Sequence, residues 1–274
     1  MTGATGKGAT RVAWVTDIHL DFLSREECEA FYVSITRNEP DVLFITGDIS
    51  VAPALVPHLE VLSQTLNKPI YFVLGNHDFY GGSITEVRAT LRECFRAHPF
   101  LTYLPDAGIV PLTPSTALVG CDGWGDSRYG NYARSPMKMN DHRFIQELTG
   151  LTRVKLQQEL MRLGDEAAGY LRQTLPNACD RYPHVILLTH VPPFPESCRG
   201  RGQRHHDEWL PFYACQAVGD VLLETMRVRP NCQLTVYCGH THHSGTAQVL
   251  PNLTVFTGAA QYGKPHVNAV IEVR

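Results

Sequence analysis

Five apolar runs in this 274-residue chain end in side chains that can bind a metal or move a proton. VAWVT is followed by Asp17-Ile18-His19, VLFIT by Gly47-Asp48, and YFVL by Gly75-Asn76-His77-Asp78. VILLT is followed by His190, and LTVYC by Gly239-His240-Thr241-His242. Aspartate, histidine and asparagine form a hard-to-intermediate donor set that suits Mn, Fe or Zn rather than a thiolate site. Such groups at five strand ends are more than one tetrahedral ion needs, and they suit two ions with a carboxylate between them. Each fragment alone is weak: Asp-x-His reads as a capped strand end, and Gly-Asn-His-Asp reads as a turn. The recurrence of such groups at five strand ends carries the inference.

The positioning elements follow from periodicity. RVAWVT, DVLFIT and PIYFVL read as buried strands, apolar on both faces, which calls for helices covering a sheet. Ser24 and Glu27 stand in capping-box spacing, as do Ser83 and Glu86, so helices should start there, the second running to about His98. A further helix is expected across Leu55–Leu66. The order is β-α-β-α-β. In the second half, TALVGC (116–121), HVILLT (184–189), QLTVYC, LTVFTG and HVNAVIEV read as strands. Helical patterns cover about Asp141–Glu147, Thr152–Leu175 and Tyr213–Arg227. In α/β folds, sites gather beyond the carboxyl ends of strands, so the five polar groups should converge. Glycines 47, 75 and 239 fit a chain that turns sharply there.

Composition sets the bounds. With 43% hydrophobic and 19% charged residues, the chain can build a sizeable core. Residues 1–10 read as a loose tail and residues 11–274 as one domain, without linker or repeat. A net charge of −3 argues against a broad grip on nucleic acid, which is an unlikely partner. No apolar run is long enough to span a membrane, and no secretory segment is visible near the start. The eight cysteines show no CxxC pair, which fits a reducing cytoplasm. Cys121 and Cys238 lie at strand ends and read as small core residues, not nucleophiles.

In order, DIH, GD, GNHD, TH and GHTH make the chain resemble the calcineurin-like metallophosphoesterase superfamily from Val12 to about Val270. THVPPF and WLPFYACQAVGDVLLE are similar to segments of bacterial-type members. The resemblance implies an α/β fold: two β-sheets in a sandwich flanked by helices (αββα), with a dimetal site at the C-terminal ends of strands. It also implies roles. Asp17, His19 and His242 would hold one divalent metal, Asp48 would bridge to a second, and Asn76, His190 and His240 would complete that one. His77 falls at the family's catalytic histidine, which is not a ligand, and Asp78 at its acidic partner, expected to orient it. Where many relatives have Asp or Asn a few residues after GD, this chain reads GDISVAPA, so any support from that later position is in doubt. The protein-phosphatase patterns GDxxDRG and GNHE are absent.

Two cations about 3.5–4 Å apart can share a water and lower its pKa, and the bridging hydroxide attacks phosphorus in line with the leaving oxygen. The metals take up charge on the phosphoryl oxygens, while an imidazolium serves the leaving group. The expected substrate is a phosphodiester or a small phosphorylated molecule. The loops 122–140 and 192–211 are where specificity should sit, with Arg128, Arg134, Arg201 and Tyr262 as substrate-binding candidates. Two other readings are a nuclease, disfavoured by the charge, and a non-catalytic protein-binding scaffold, disfavoured because every ligand position is retained. Metal identity, natural substrate and oligomeric state are not legible.

Overall fold

A computed structural model describes residues 9–198 and 207–274. The strands in chain order are β1 (Thr10–Val15), β2 (Val42–Thr46), β3 (Ile70–Val73), β4 (Leu101–Tyr103), β5 (Val110–Pro111) and β6 (Thr116–Gly120). They continue with β7 (His184–Leu188), β8 (Gln233–Cys238), β9 (Gly245–Leu250), β10 (Leu253–Thr257) and β11 (Ala269–Val273). The helices are α1 (Arg25–Thr36), α2 (Ala52–Leu66), α3 (Ile84–Phe95), α4 (Leu104–Ala107), α5 (Asp141–Phe144), α6 (Arg153–Arg181), α7 (Leu210–Tyr213) and α8 (Gln216–Arg227). The strands form a five-stranded sheet, β11-β1-β2-β3-β4, and a six-stranded sheet, β5-β6-β7-β8-β10-β9. Pairing from β1 through β4 is parallel, as is pairing from β6 through β10, whereas β11, β5 and β9 are antiparallel edges.

Alternation along the strands sorts the core into layers, because successive side chains point to opposite faces. Val12 and Trp14 of β1, with Val42 and Phe44 of β2, pack against Leu118, Ile186, Leu188 and Tyr237 of the other sheet. Their neighbours Ala13, Val15, Leu43 and Ile45 face the opposite way, onto Tyr32 and Ile35 of α1 and Leu55 and Leu59 of α2. In the second sheet Val185, Leu187, Leu234 and Val236 pack on Leu171 and Leu175 of α6 and Val218 and Leu222 of α8. The result is a four-layer sandwich, helices outside and sheets within, as the resemblance implied.

Local signals behave as their chemistry predicts. Ser24 and Glu27 form the reciprocal capping box of α1, and the Ser83 hydroxyl caps α3 by accepting from the Glu86 N–H. Differences arise where packing outweighs local pattern. α6 runs to Arg181, through Pro176, beyond the expected end at Leu175. A proline inside a helix costs about 3 kcal/mol, and burial of Leu175, Ala178 and Cys179 offsets it. The expected helix over 141–147 is one turn, α5, followed by a 3-10 turn at Gln146–Leu148. The helix expected over Tyr213–Arg227 is α8, which starts at Gln216, and Tyr213 instead ends the separate turn α7. Strands β4, β5 and β9 have no counterpart among the expected elements; each lies at a sheet edge, where short length or weak apolar content removes the signal. β1 begins at Thr10, inside the stretch expected to be a tail. No helix among the described residues is long and apolar enough to cross a membrane.

Phe44 is fully buried between the sheets. Phe44→Ala should lower unfolding free energy by about 3–5 kcal/mol. Urea denaturation followed by circular dichroism measures it, and a loss near zero would mean that this layer does not hold the sheets together.

Candidate metal centre

The polar residues at the strand ends do converge. Asp17, His19, Asp48 and His242 bring one donor atom each within 4.8 Å of one another, and Asp48, His190 and His240 form a second such group. Asp48 belongs to both. The first sheet supplies Asp17, His19, Asp48 and Asn76 from the loops after β1, β2 and β3, and the second supplies His190, His240 and His242 from the loops after β7 and β8. Backbone pairing extends past the strands to hold these loops in register: Asp17 N–H donates to Gly47 O at 3.0 Å and His19 N–H to Asp48 O at 3.0 Å.

The backbone is contorted to make this possible. Asp17, His19, Asp48, His240 and His242 all have positive φ, between 41° and 71°. Left-handed backbone at a non-glycine residue costs about 1–3 kcal/mol, and such strain gathers at functional sites. Gly75 adds a close approach: a Cβ there would collide with the Asp48 carboxylate and the His190 ring.

Hydrogen bonds behind the site decide which atoms face into it. His190 Nδ1 lies 2.8 Å from Thr46 O, and His240 Nε2 lies 3.1 Å from Phe212 O. A carbonyl only accepts, so these ring nitrogens carry the protons. The other two, His190 Nε2 and His240 Nδ1, are then lone-pair donors when the rings are neutral, and they face each other at 3.2 Å. Asn76 Oδ1 joins them at 3.2 and 3.0 Å, and Asp48 Oδ1 lies 3.4 Å from His190 Nε2. In the other group, His19 Nε2 and His242 Nε2 approach to 3.3 Å, and His242 Nε2 lies 3.3 Å from Asp17 Oδ1. Electron-rich atoms packed this way call for a cation, and this donor set fits a hard-to-intermediate divalent ion.

Charge points the same way. Asp17 and Asp48 are buried, and among the described residues their ion-pair partners are all histidines. Burial pushes the Asp48 carboxyl up, but the charges of His190 and His77 outweigh it and hold the group well below its ordinary value. Asp17 is also held low: burial raises it, and the hydrogen bond from His242 with the charge of His190 overrides that. Burial lowers His190, yet the Asp48 carboxylate more than reverses this and lifts it to about 10. Burial and the charge on His190 push His240 down to about 4. A proton on His190 thus occupies the point where a cation would sit.

His77 is in neither donor group. Its ring stacks on Tyr80 at 4.2 Å and lies 4.5 Å from His19, and its Nε2 is 3.4 Å from the Tyr262 hydroxyl. Asp78 differs from expectation. Its carboxylate accepts from the N–H groups of Ile49 (2.8 Å), Ser50 (2.9 Å) and Gly75 (2.8 Å), and none of these bonds goes to His77. It staples the loop after β2 to the loop after β3, so the geometry makes it a backbone anchor rather than the orienting partner of the imidazole.

Asp48, Asn76, His77, His240 and His242 line a cleft of about 330 Å³, with Tyr262, Tyr80, Trp209 and Tyr213 on its walls and Lys138 and Asn140 beside them. Of the substrate-binding candidates, Tyr262 is in the cleft. Arg128 is not; it is committed to Asp126 and, through a fork at 2.8 Å, to Asp165. Arg134 is exposed and does not line the cleft, and Arg201 lies outside the described residues. Asp122 and Asp126 are buried anchors: Asp122 accepts from Leu74 N–H, Arg88 and the Tyr103 hydroxyl, and Asp126 from Ala217 N–H. Cys121 and Cys238 are buried and pushed up to about 12 by burial, consistent with inert core thiols. Lys138 and Trp209 lie in the two loops where the sequence places specificity, whereas the patterns do not mark Tyr80, Tyr213 or Asp141 as parts of the site; Tyr80 stands two residues past the GNHD motif, which is the one available signal for these three.

Comparison with known proteins agrees with this geometry. No curated protein sequence matches the chain. Among solved structures, phosphopantetheinyl hydrolase from Mycobacterium tuberculosis superposes with a TM-score of 0.66 at 14% identity, covering 97% of this chain and 96% of that one. A dimetal phosphatase from Danio rerio gives 0.58 at 14% identity over 93% and 89% of the two chains. A protein from Thermus thermophilus gives 0.54 at 13% identity over 96% and 98%. At such identities the likeness shows the fold. The family profile of calcineurin-like phosphoesterases matches residues 10–244. A match over most of the chain, on a fold that gathers the donor set described above, establishes that this protein belongs to the calcineurin-like phosphoesterase family and is a metal-dependent phosphoester hydrolase.

Proposed function

We propose that the chain hydrolyses a phosphodiester or a small phosphorylated molecule with two divalent cations. One is held by Asp17, His19, Asp48 and His242, and the other by Asp48, Asn76, His190 and His240. The observation that carries this is the convergence of the inward-facing ring nitrogens, Asn76 Oδ1 and the two buried carboxylates of Asp17 and Asp48. When bound, the cations supply a nucleophile at neutral pH and neutralise charge on the phosphoryl oxygens. The donor set fits Mn, Fe or Zn.

The chain's own side chains do the rest. His77 faces the cleft next to both donor groups and outside them, so its imidazole is available to give a proton to the leaving oxygen from Nε2. Tyr80, stacked on one face, limits its rotation. Tyr262 places its hydroxyl oxygen 3.4 Å from the same nitrogen, where it can accept from the Nε2 proton; burial and the charges of Asp48 and Asp17 push its pKa up, which keeps it a neutral hydroxyl. The aromatic walls suit a flat or apolar leaving portion, and Lys138 at the rim suits a second anionic group. Eight cysteines outside any disulfide among the described residues fit a reducing, cytoplasmic setting.

Purified, Mn-loaded protein should cleave a generic aryl phosphodiester or monoester. His77→Ala should lower kcat by about 10²–10⁴-fold with metal content unchanged. Equal loss of metal in that variant would show that His77 is a ligand.

Cation binding should also depend on pH. His190, raised to about 10, holds a proton at neutral pH, and a cation must expel it. Affinity for the cation beside His190 should therefore strengthen by about tenfold per pH unit between about pH 6 and 9. Calorimetric titration of Mn²⁺ in buffers of different ionisation enthalpy measures the protons released; none released would contradict the assignment.

A further inference from the structure

The side chain of Asn76 poses a problem that its motif does not solve. A primary amide has an accepting end and a donating end of nearly the same shape. Without a cation, the bare Nδ1 of His240 would draw the NH₂ end toward it. Only the oxygen can serve as a cation ligand. Once a cation has displaced the His190 proton, a partner outside the donor set is needed to hold the amide the other way.

That partner is Asp141, which is distant in sequence and buried. Its Oδ1 accepts from Asn76 Nδ2 at 2.8 Å and from the Tyr80 hydroxyl at 2.5 Å, and Asn76 Nδ2 also lies 3.2 Å from the Tyr80 oxygen. A carboxylate has no proton to offer, so Asn76 can meet it only with NH₂, which turns Asn76 Oδ1 toward His190 Nε2 and His240 Nδ1. The same oxygen anchors Tyr80, whose ring is stacked on His77 at 4.2 Å. Asp141 itself is held against the loop after β3. Gly81 N–H donates to Phe144 O at 2.9 Å and Gln146 N–H to Gly82 O at 3.0 Å, both at the C-terminal side of α5.

We propose that Asp141 is a positioning residue that sets the amide of Asn76 with its oxygen toward the second cation and, through Tyr80, braces the face of His77. This rests on the two-cation reading of the site. It gives the polar loop ending at Asn140 a purpose other than substrate contact: it delivers one buried carboxylate to the back of the centre.

The test uses the full-length protein, stripped of metal and titrated calorimetrically with Mn²⁺, with folding checked by circular dichroism. Wild type should bind two ions; fewer would overturn the two-cation reading itself. Given two, Asp141→Ala should weaken only the second ion, by about 10–100-fold. Retention of wild-type affinity for both would overturn the role of Asp141 alone, and equal weakening of both would show a merely structural part. Asp141→Asn keeps an acceptor oxygen and should recover part of the affinity; no recovery would count against orientation by that oxygen. This variant carries the test if Asp141→Ala does not fold. Tyr80→Phe should bind both ions normally yet lower kcat more than it changes KM, and loss of the second ion there would assign the orienting role to Tyr80.

Asn76→Asp gives a test of sign. A carboxylate at 76 has no amide to orient and stands against Asp141 at hydrogen-bond distance, where like charges repel. In that background Asp141→Ala should strengthen second-ion binding instead of weakening it. Weakening in both backgrounds would overturn the proposal.

Discussion

The carboxylate of Asp48 is the point on which the arrangement depends. It is buried, it belongs to both donor groups, and its ion-pair partners among the described residues are imidazoles. A buried charge is tolerated only when paired, and histidines pair it poorly once they lose their protons. The metal-free protein answers by drawing a proton onto His190. The centre is therefore built around missing positive charge, and the left-handed backbone at Asp17, His19, Asp48, His240 and His242 is the strain that brings the donors there.

That strain persists because two sheets impose it. The donors come from both: Asp17, His19, Asp48 and Asn76 from one edge, and His190, His240 and His242 from the facing one. The layer between the sheets fixes how far apart the two halves stand. Trp14 packs on Tyr237 with centroids 4.8 Å apart, and its indole N–H donates to Thr46 Oγ1 at 3.0 Å. Thr46 in turn offers its carbonyl oxygen to His190 Nδ1. A side chain of the inter-sheet core is thus two contacts from a ring of the centre, so packing of the core and geometry of the site are one problem.

This division explains what is legible in the sequence. Buried parallel strands are apolar on both faces and end abruptly, so β1, β2, β3, β7 and β8 can be read together with the polar residues that follow them. Caps such as Ser24 and Ser83 are local and equally visible. Edge strands β4, β5 and β9 carry little apolar signal, and α6 continues past Pro176 because of burial that the local pattern does not show. The roles that go astray are those requiring knowledge of what lies opposite. Asp78 is adjacent to His77 in sequence, yet its carboxylate turns to the N–H groups of Ile49, Ser50 and Gly75. Arg128 reads as available for a phosphate, and Asp126 with Asp165 already occupies it.

Residues that supply lone pairs directly must stand at strand ends, where the backbone places them, and so they form short motifs. Residues that aim those lone pairs need only reach them, and they can come from anywhere the fold brings close. Thr46 O, Phe212 O and Asp141 Oδ1 come from a strand, a short helix and a loop boundary, and each fixes one donor: His190, His240 and Asn76. Two are backbone carbonyls, which carry no residue-type signature. The third is an aspartate 65 positions from its partner. The identity of the donors is therefore written in sequence, whereas their orientation is a property of the folded chain, and the orientation decides whether the same atoms repel one another or hold a cation.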